Sequence, residues 1–196
     1  MLVKTLLLVV ISYAIGCFNT GYYYTRLVYK KDIRAVGTKV TGAMNVSRLA
    51  GRKGFIITFL GDAMKGVLVV ILARSLILPK WVILLGILMV LLGHVFPLQL
   101  RFQGGKGMST IFGALITYQP MFILILLLTC VVFYPFVRRF TITSLYAFLL
   151  FPLILFLVDY SITEVLFSLS YTVLILCACR GNVKEYLSDK AYHKHE

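Results

Sequence analysis

The chain has 196 residues, 60% hydrophobic and only 14% charged, with a formal net charge of +13 and a mean hydropathy of +0.93. A core of this size cannot hide so much apolar side chain, which excludes an ordinary soluble domain and calls for lipid as solvent. The basic residues lie between apolar runs, with no separate basic helix or RNA-binding motif, so nucleic acid is not an expected partner; anionic lipid headgroups or an anionic substrate account for the charge.

The first apolar segment covers residues 3–24. Its N-terminal flank holds one lysine, Lys4, and the strongest basic cluster follows the segment, the reverse of a secretory leader, so it reads as a retained span. Further segments fall near 54–78, 81–100, 107–118, 120–137, 141–158 and 162–179. The fold class is therefore all-α: a polytopic membrane protein of about seven transmembrane helices in a single domain, 1–196, with five or six spans also compatible. The fourth segment is short of the roughly 20 residues a straight span needs. It is either tilted or forms a half-span hairpin with the fifth, turning at Gln119 and Pro120.

Residues 25–53 make a long first loop, punctuated by Gly37, Gly42 and Gly51, which favours function over simple connection. With that loop inside, sixteen lysines and arginines fall on the cytoplasmic side, ending with Arg180, Lys184, Lys190 and Lys194. The other side keeps three, Lys4, Arg74 and Lys80. This asymmetry predicts an outside N-terminus, a cytoplasmic C-terminus and all motif-bearing loops on one face. Cys17, Cys130, Cys177 and Cys179 sit in apolar runs without a CxxC pair, so neither metal nor disulfide is expected.

Two stretches carry anion-binding chemistry. In the first loop, glycines such as Gly42 let backbone N–H groups approach a phosphate, Thr38, Thr41 and Asn45 add neutral hydrogen-bonding groups, and Arg48 can grip phosphate oxygens in a fork. A basic loop resting on headgroups is the plainer alternative. In the second, Gly104, Gly105, Lys106 and Gly107 form a nest that opens into the N-terminus of the next helix. The Walker spacing is absent, and a flexible turn with a snorkelling lysine is the competing explanation.

His94 has Gln99 where a His-x4-Asp acyltransferase dyad needs aspartate, so that general-base arrangement is excluded. Asp62 and Lys65 share one helix face inside a span, as a functional pair or, more simply, as an ion pair holding helices together. In Arg180-Gly181-Asn182-Val183-Lys184 the charges are explained as stop-transfer residues, leaving Asn182 as the one further candidate.

Taken in order, these motifs resemble the bacterial acyl-phosphate:glycerol-3-phosphate acyltransferase family, commonly called PlsY. The resemblance runs from the Gly16 and Gly21 spacing through Asp32-Ile33-Arg34, Gly42-Ala43, Asn45-Val46, Arg48, Asp62, Lys65-Gly66, Gly93-His94, Phe96-Pro97 and the GGKG quartet to Asn182. It implies a bacterial cytoplasmic-membrane enzyme of phospholipid synthesis. Such an enzyme moves an acyl group from acyl phosphate to the 1-hydroxyl of glycerol 3-phosphate, without cofactor. It further implies roles for Thr38, Arg48, Lys106 and Asn182; the charge of Lys39 makes it a further expected phosphate contact beside Arg48. Where the family loop reads GSGNxGATNVxR, this chain has GTKVTGAMNVSR: Lys39 replaces a glycine, Val40 an asparagine and Met44 a threonine. Cys179 stands where a histidine is common, and Arg139 to Thr143 displaces a family serine. A transporter of a phosphorylated metabolite and a non-catalytic paralogue binding lipid precursors are the alternatives.

Overall fold

The computed structural model describes residues 1–192; Lys194, counted among the cytoplasmic charges, lies outside them. The described residues are helical, with no strand among them. The helices are α1 (Leu2–Cys17), α2 (Thr20–Val28), α3 (Ala43–Ser75), α4 (Lys80–Val95), α5 (Met108–Tyr118), α6 (Pro120–Val137), α7 (Phe140–Leu157), α8 (Ile162–Ala178) and α9 (Arg180–Tyr192). They fall into two compact units, Met1–Pro120 and Met121–Glu196. Large side chains such as Leu7, Val10, Leu68, Ile71, Leu124, Val131, Phe156 and Leu166 are exposed, as surfaces facing lipid are.

Five helical stretches are long and apolar enough to cross a membrane, or six if α8 and the start of α9, bent by 65°, count as one. Of the about seven apolar segments expected, five or six are thus long enough to span, within the range the sequence left open, and α5 is the short one. Its 11 residues rise only about 16 Å, half of a bilayer core of about 30 Å. Gln119 is extended and α6 starts at Pro120, the turn the sequence marks.

The first segment is not continuous. Phe18 and Asn19 are extended, separating α1 from α2 within one apolar stretch, Leu2–Val28. Nor is the first loop wholly a loop: α2 runs to Val28, a 3-10 turn covers Ile33–Ala35, and α3 starts at Ala43. Gly51, with φ +60° and ψ −157°, kinks α3 and sets its first eight residues apart from the long apolar part.

In the first unit small residues bring helices together, as expected where packing replaces the hydrophobic drive between helices in lipid. On α1 and α4, Gly16 and Gly93 face each other; a methyl on Gly93 would overlap Tyr13 O, and one on Gly16 would overlap Val90 O. On α3 and α5 the same holds for Gly66 against Thr110 O and Gly113 against Ala63 O. In the second unit α7 packs on α8. Pro152 deprives the Phe148 carbonyl of its helical donor, and Thr172 Oγ1 supplies one at 2.8 Å.

Gly93→Ala and Gly113→Ala each force backbone apart and should cost about 1–3 kcal/mol, read as a lowered unfolding temperature in detergent. Gly181→Ala, with nothing within 4 Å of the added methyl, should stay within about 0.5 kcal/mol of the parent.

Candidate functional site

The first loop is organised by one side chain. Asn45, 1% exposed, accepts from Thr38 N at 2.8 Å through Oδ1. Its Nδ2 donates to Ile33 O at 3.1 Å, Val36 O at 2.9 Å and Val40 O at 2.8 Å. Gly37, at φ +55°, lies so close that a side chain would overlap Asn45 Oδ1 and press on the Arg48 stem. Asn45 therefore holds residues 33–40 in shape and has its amide spent on backbone. Thr38, Lys39 and Arg48 are left exposed around it. Lys39 adopts φ +59°, where the family pattern has glycine; a left-handed non-glycine residue costs on the order of 1 kcal/mol, which the loop absorbs.

Asp32 and Arg34 tie this loop to the second. Arg34 donates to Asp32, the closest contact 2.7 Å, and to Leu100 O at 3.0 Å, and stacks over the Tyr22 ring at 5.0 Å. The hydrogen-bonded Arg34 guanidinium holds the Asp32 carboxyl below its usual range. A second stitch runs from Thr41 N to Gly104 O, 3.3 Å. The second loop itself turns tightly through Arg101 and Phe102, both left-handed, and then folds back: Gly104 N donates to Val95 O at 3.2 Å and Gly105 N to His94 O at 3.1 Å. Gly107, at φ +82°, caps α5 and alone separates Lys106 from its first residue, Met108. Gly42 precedes α3 in an extended conformation, with nothing within 4 Å of where a side chain would start.

Beneath the loops lies the break in the first span. Lys65 Nζ is 2.7 Å from Phe18 O, 3.2 Å from Gly16 O, 3.2 Å from Asp62 Oδ1 and 2.8 Å from His94 Nδ1. Asp62 Oδ1 also accepts from Thr20 N at 3.2 Å, at the start of α2. The ammonium thus meets carbonyls at the C-terminal end of α1 and the carboxylate meets the N-terminal end of α2, each the favourable partner for that helix terminus. Gln99 and Asn19 both donate to Cys17 O, and Thr41 Oγ1 donates to Asn19 Oδ1 at 2.6 Å. Gln99, the residue that excludes an acyltransferase dyad, thus ties the second loop to the break.

The structure joins the loop of Thr38, Lys39 and Gly42, followed by Asn45 and Arg48 at the start of α3, to the loop of Gly104, Gly105, Lys106 and Gly107, and sets Asp62, Lys65 and His94 below them. Asn182 belongs to the second unit, where its N–H donates to Cys179 O at 2.9 Å. Sequence reasoning singled out Lys65 but missed what it serves, because Phe18 and Asn19 lie inside an apolar run. It likewise placed no weight on Arg34 as a bridge between loops or on Gln99 as a cap. Among the described residues no cluster of three metal-ligating side chains occurs.

What the fold defines is a polytopic helical membrane protein with glycine-rich cationic loops stitched together at a broken span. A family model described as glycerol-3-phosphate acyltransferase matches residues 6–189, and the chain belongs to that family. It is 38% identical over 170 residues to the Bacillus cereus protein named glycerol-3-phosphate acyltransferase 1, covering 87% of this chain and 93% of the relative. The Burkholderia ambifaria glycerol-3-phosphate acyltransferase is 35% identical over 187 residues, covering 94% and 88% of the two chains. The crystal structure of PlsY, an integral membrane glycerol 3-phosphate acyltransferase, in its glycerol 3-phosphate form superposes with a TM-score of 0.86 at 28% identity, covering 94% and 92%. Its lysophosphatidic acid form gives 0.83 at 27% identity with the same coverage.

Asn45→Ala should leave three loop carbonyls and one N–H without their partner. Hydrogen exchange over residues 33–40 should then speed by at least tenfold, on the scale of about 1–3 kcal/mol per unsatisfied buried group, while α4 exchanges as before. The Asp32–Arg34 tie adds a pH dependence. Because the folded carboxyl titrates below the free value of about 3.9, its contribution is present above that pH and is lost as pH falls further. Loop exchange should quicken only below about pH 4, and Asp32→Asn should abolish that acid step.

Proposed function

We propose that this chain is a glycerol-3-phosphate acyltransferase that takes its acyl group from acyl phosphate and delivers it to the 1-hydroxyl of glycerol 3-phosphate. Membership of the family supports the reaction type. The observation that carries the site is the joining of the loop leading into the Arg48 helix to the Lys106 loop through Thr41 and Gly104. The names of its relatives favour acyl transfer over the transporter and non-catalytic readings. Both compact units count here as one catalytic domain, with the loops and C-terminus in the cytoplasm on the strength of the charge asymmetry.

Two anions must be held side by side. Lys106, just before the N-terminal end of α5, holds one phosphate through its charge and that helix terminus; the N–H groups of Gly104 and Gly105 are already given to Val95 O and His94 O, so those glycines serve by shaping the turn. Arg48 and Lys39 hold the other. Thr38 orients the acceptor hydroxyl or the carbonyl oxygen. Asn45 acts on the reaction by shaping the loop that presents these groups. Asn182 takes its role from the motif resemblance.

In the reaction the 1-hydroxyl oxygen attacks the acyl carbon, the bond from that carbon to the phosphate oxygen breaks, and inorganic phosphate leaves. An acyl phosphate is a mixed anhydride, and its leaving group departs without strong acid. The proton of the hydroxyl passes to a substrate phosphate, since His94 is 2% exposed with Nδ1 facing Lys65 and Nε2 packed on Gly105. Positioning and fixed donors around the developing oxyanion supply the acceleration.

Purified protein given acyl phosphate and glycerol 3-phosphate should yield lysophosphatidate and phosphate. Lys106→Ala should lower kcat/KM by at least a hundredfold, on the scale of about 3 kcal/mol for a lost charged contact, whereas wild-type rates in that variant would end the assignment. Arg48→Ala should raise KM for one of the two anionic substrates more than it lowers kcat.

A further inference from the structure

We infer that Asp62, Lys65 and His94 act as a positioning relay, fixing the GGKG backbone to the break in the first span so that Lys106 meets its phosphate at a set place. The kinetic part of this inference rests on the acyl-transfer reading above.

The relay has three links. Lys65 Nζ gathers polar atoms from three elements: the end of α1 through Gly16 O and Phe18 O, its own α3 through Asp62, and α4 through His94 Nδ1. His94 then reaches the second loop by two routes. Its carbonyl accepts from Gly105 N at 3.1 Å, and its ring fills the space that a Gly105 side chain would need. Gly104, in turn, donates to Val95 O and accepts from Thr41 N, just before the helix that carries Arg48. None of the three relay residues lies on the loops, yet they fix the backbone that bears the proposed phosphate ligands.

Stability alone does not explain this choice of residues. Taking two charges out of water is costly, and a well-packed apolar pair of similar volume is often as stable. Hydroxyl or amide side chains would also close the ends of α1 and α2. A single ammonium contacting several acceptors adds a junction with little freedom, and His94 passes that constraint to Gly105. Misplacing a reacting group by about 1 Å can cost about a hundredfold in rate, so a junction of this kind has functional value.

The test uses the full chain in detergent. The double variant Asp62→Asn/Lys65→Met removes both charges together and keeps an acceptor for Thr20 N. His94→Asn keeps an acceptor toward Lys65 but withdraws the ring from Gly105. Each should raise KM for glycerol 3-phosphate by about tenfold or more, change kcat by less than about threefold, and speed amide exchange across residues 100–110. A purely structural role predicts instead a lower unfolding temperature with wild-type KM and wild-type loop exchange per folded molecule, and that result overturns the relay. If the double variant does not fold, His94→Asn decides by the same readouts. If the wild-type protein makes no lysophosphatidate, the acyl-transfer reading fails by itself, and unchanged exchange at 100–110 in His94→Asn still overturns the relay.

Discussion

A lysine ammonium buried to 4% exposure at an interruption in a membrane helix is the contact on which the first unit turns. Broken backbone at membrane depth is tolerated only where its carbonyls and N–H groups find partners within the protein. Phe18 and Asn19 leave such groups open at both ends of the break, and Lys65, Asp62, Gln99 and Asn19 close them. The charges lower the cost of the break, and the break gives the buried charges partners. Because Lys65 also meets His94, the break is tied to the loop that ends α4.

The loops follow from that foundation. One strand of loop is drawn onto the other by Arg34 at Leu100 and by Thr41 at Gly104, and the first is shaped from within by Asn45. Glycine is required at few of these places, and for separate reasons. Gly37 makes room for the Asn45 amide, Gly105 makes room for the His94 ring, and Gly107 takes the left-handed turn into α5. The phosphate-binding surface proposed here would have its flexible side chains on top and a backbone held from below, the arrangement that preorganisation needs.

The departures from the family loop pattern can be sorted by the same geometry. Asn45 and Gly37, whose contacts shape the loop, match the pattern, and so does Arg48. Lys39 changes an exposed position and brings an additional cation at the expense of a left-handed conformation. Met44 is exposed on the first turn of α3, and Val40 offers its carbonyl, which any residue has, to Asn45. The backbone scaffold is therefore compatible with these substitutions.

Much of this was legible in the chain. Apolar content fixed the need for lipid, because no fold of 196 residues can bury 60% hydrophobic side chains away from water. Charge and glycine placement singled out the two loops that the fold joins, since both are local properties of the chain. Other features could be decided only by packing. The break at Phe18 and Asn19 hides in an apolar run, and α2 and the start of α3 lie within what reads as one long loop. The duties of Lys65, Arg34, Gln99 and Asn45 depend on partners 47, 66, 82 and up to 12 residues away. Sequence patterns record what a residue can offer; which carbonyl or carboxylate receives it is set only when helices distant along the chain close on one another.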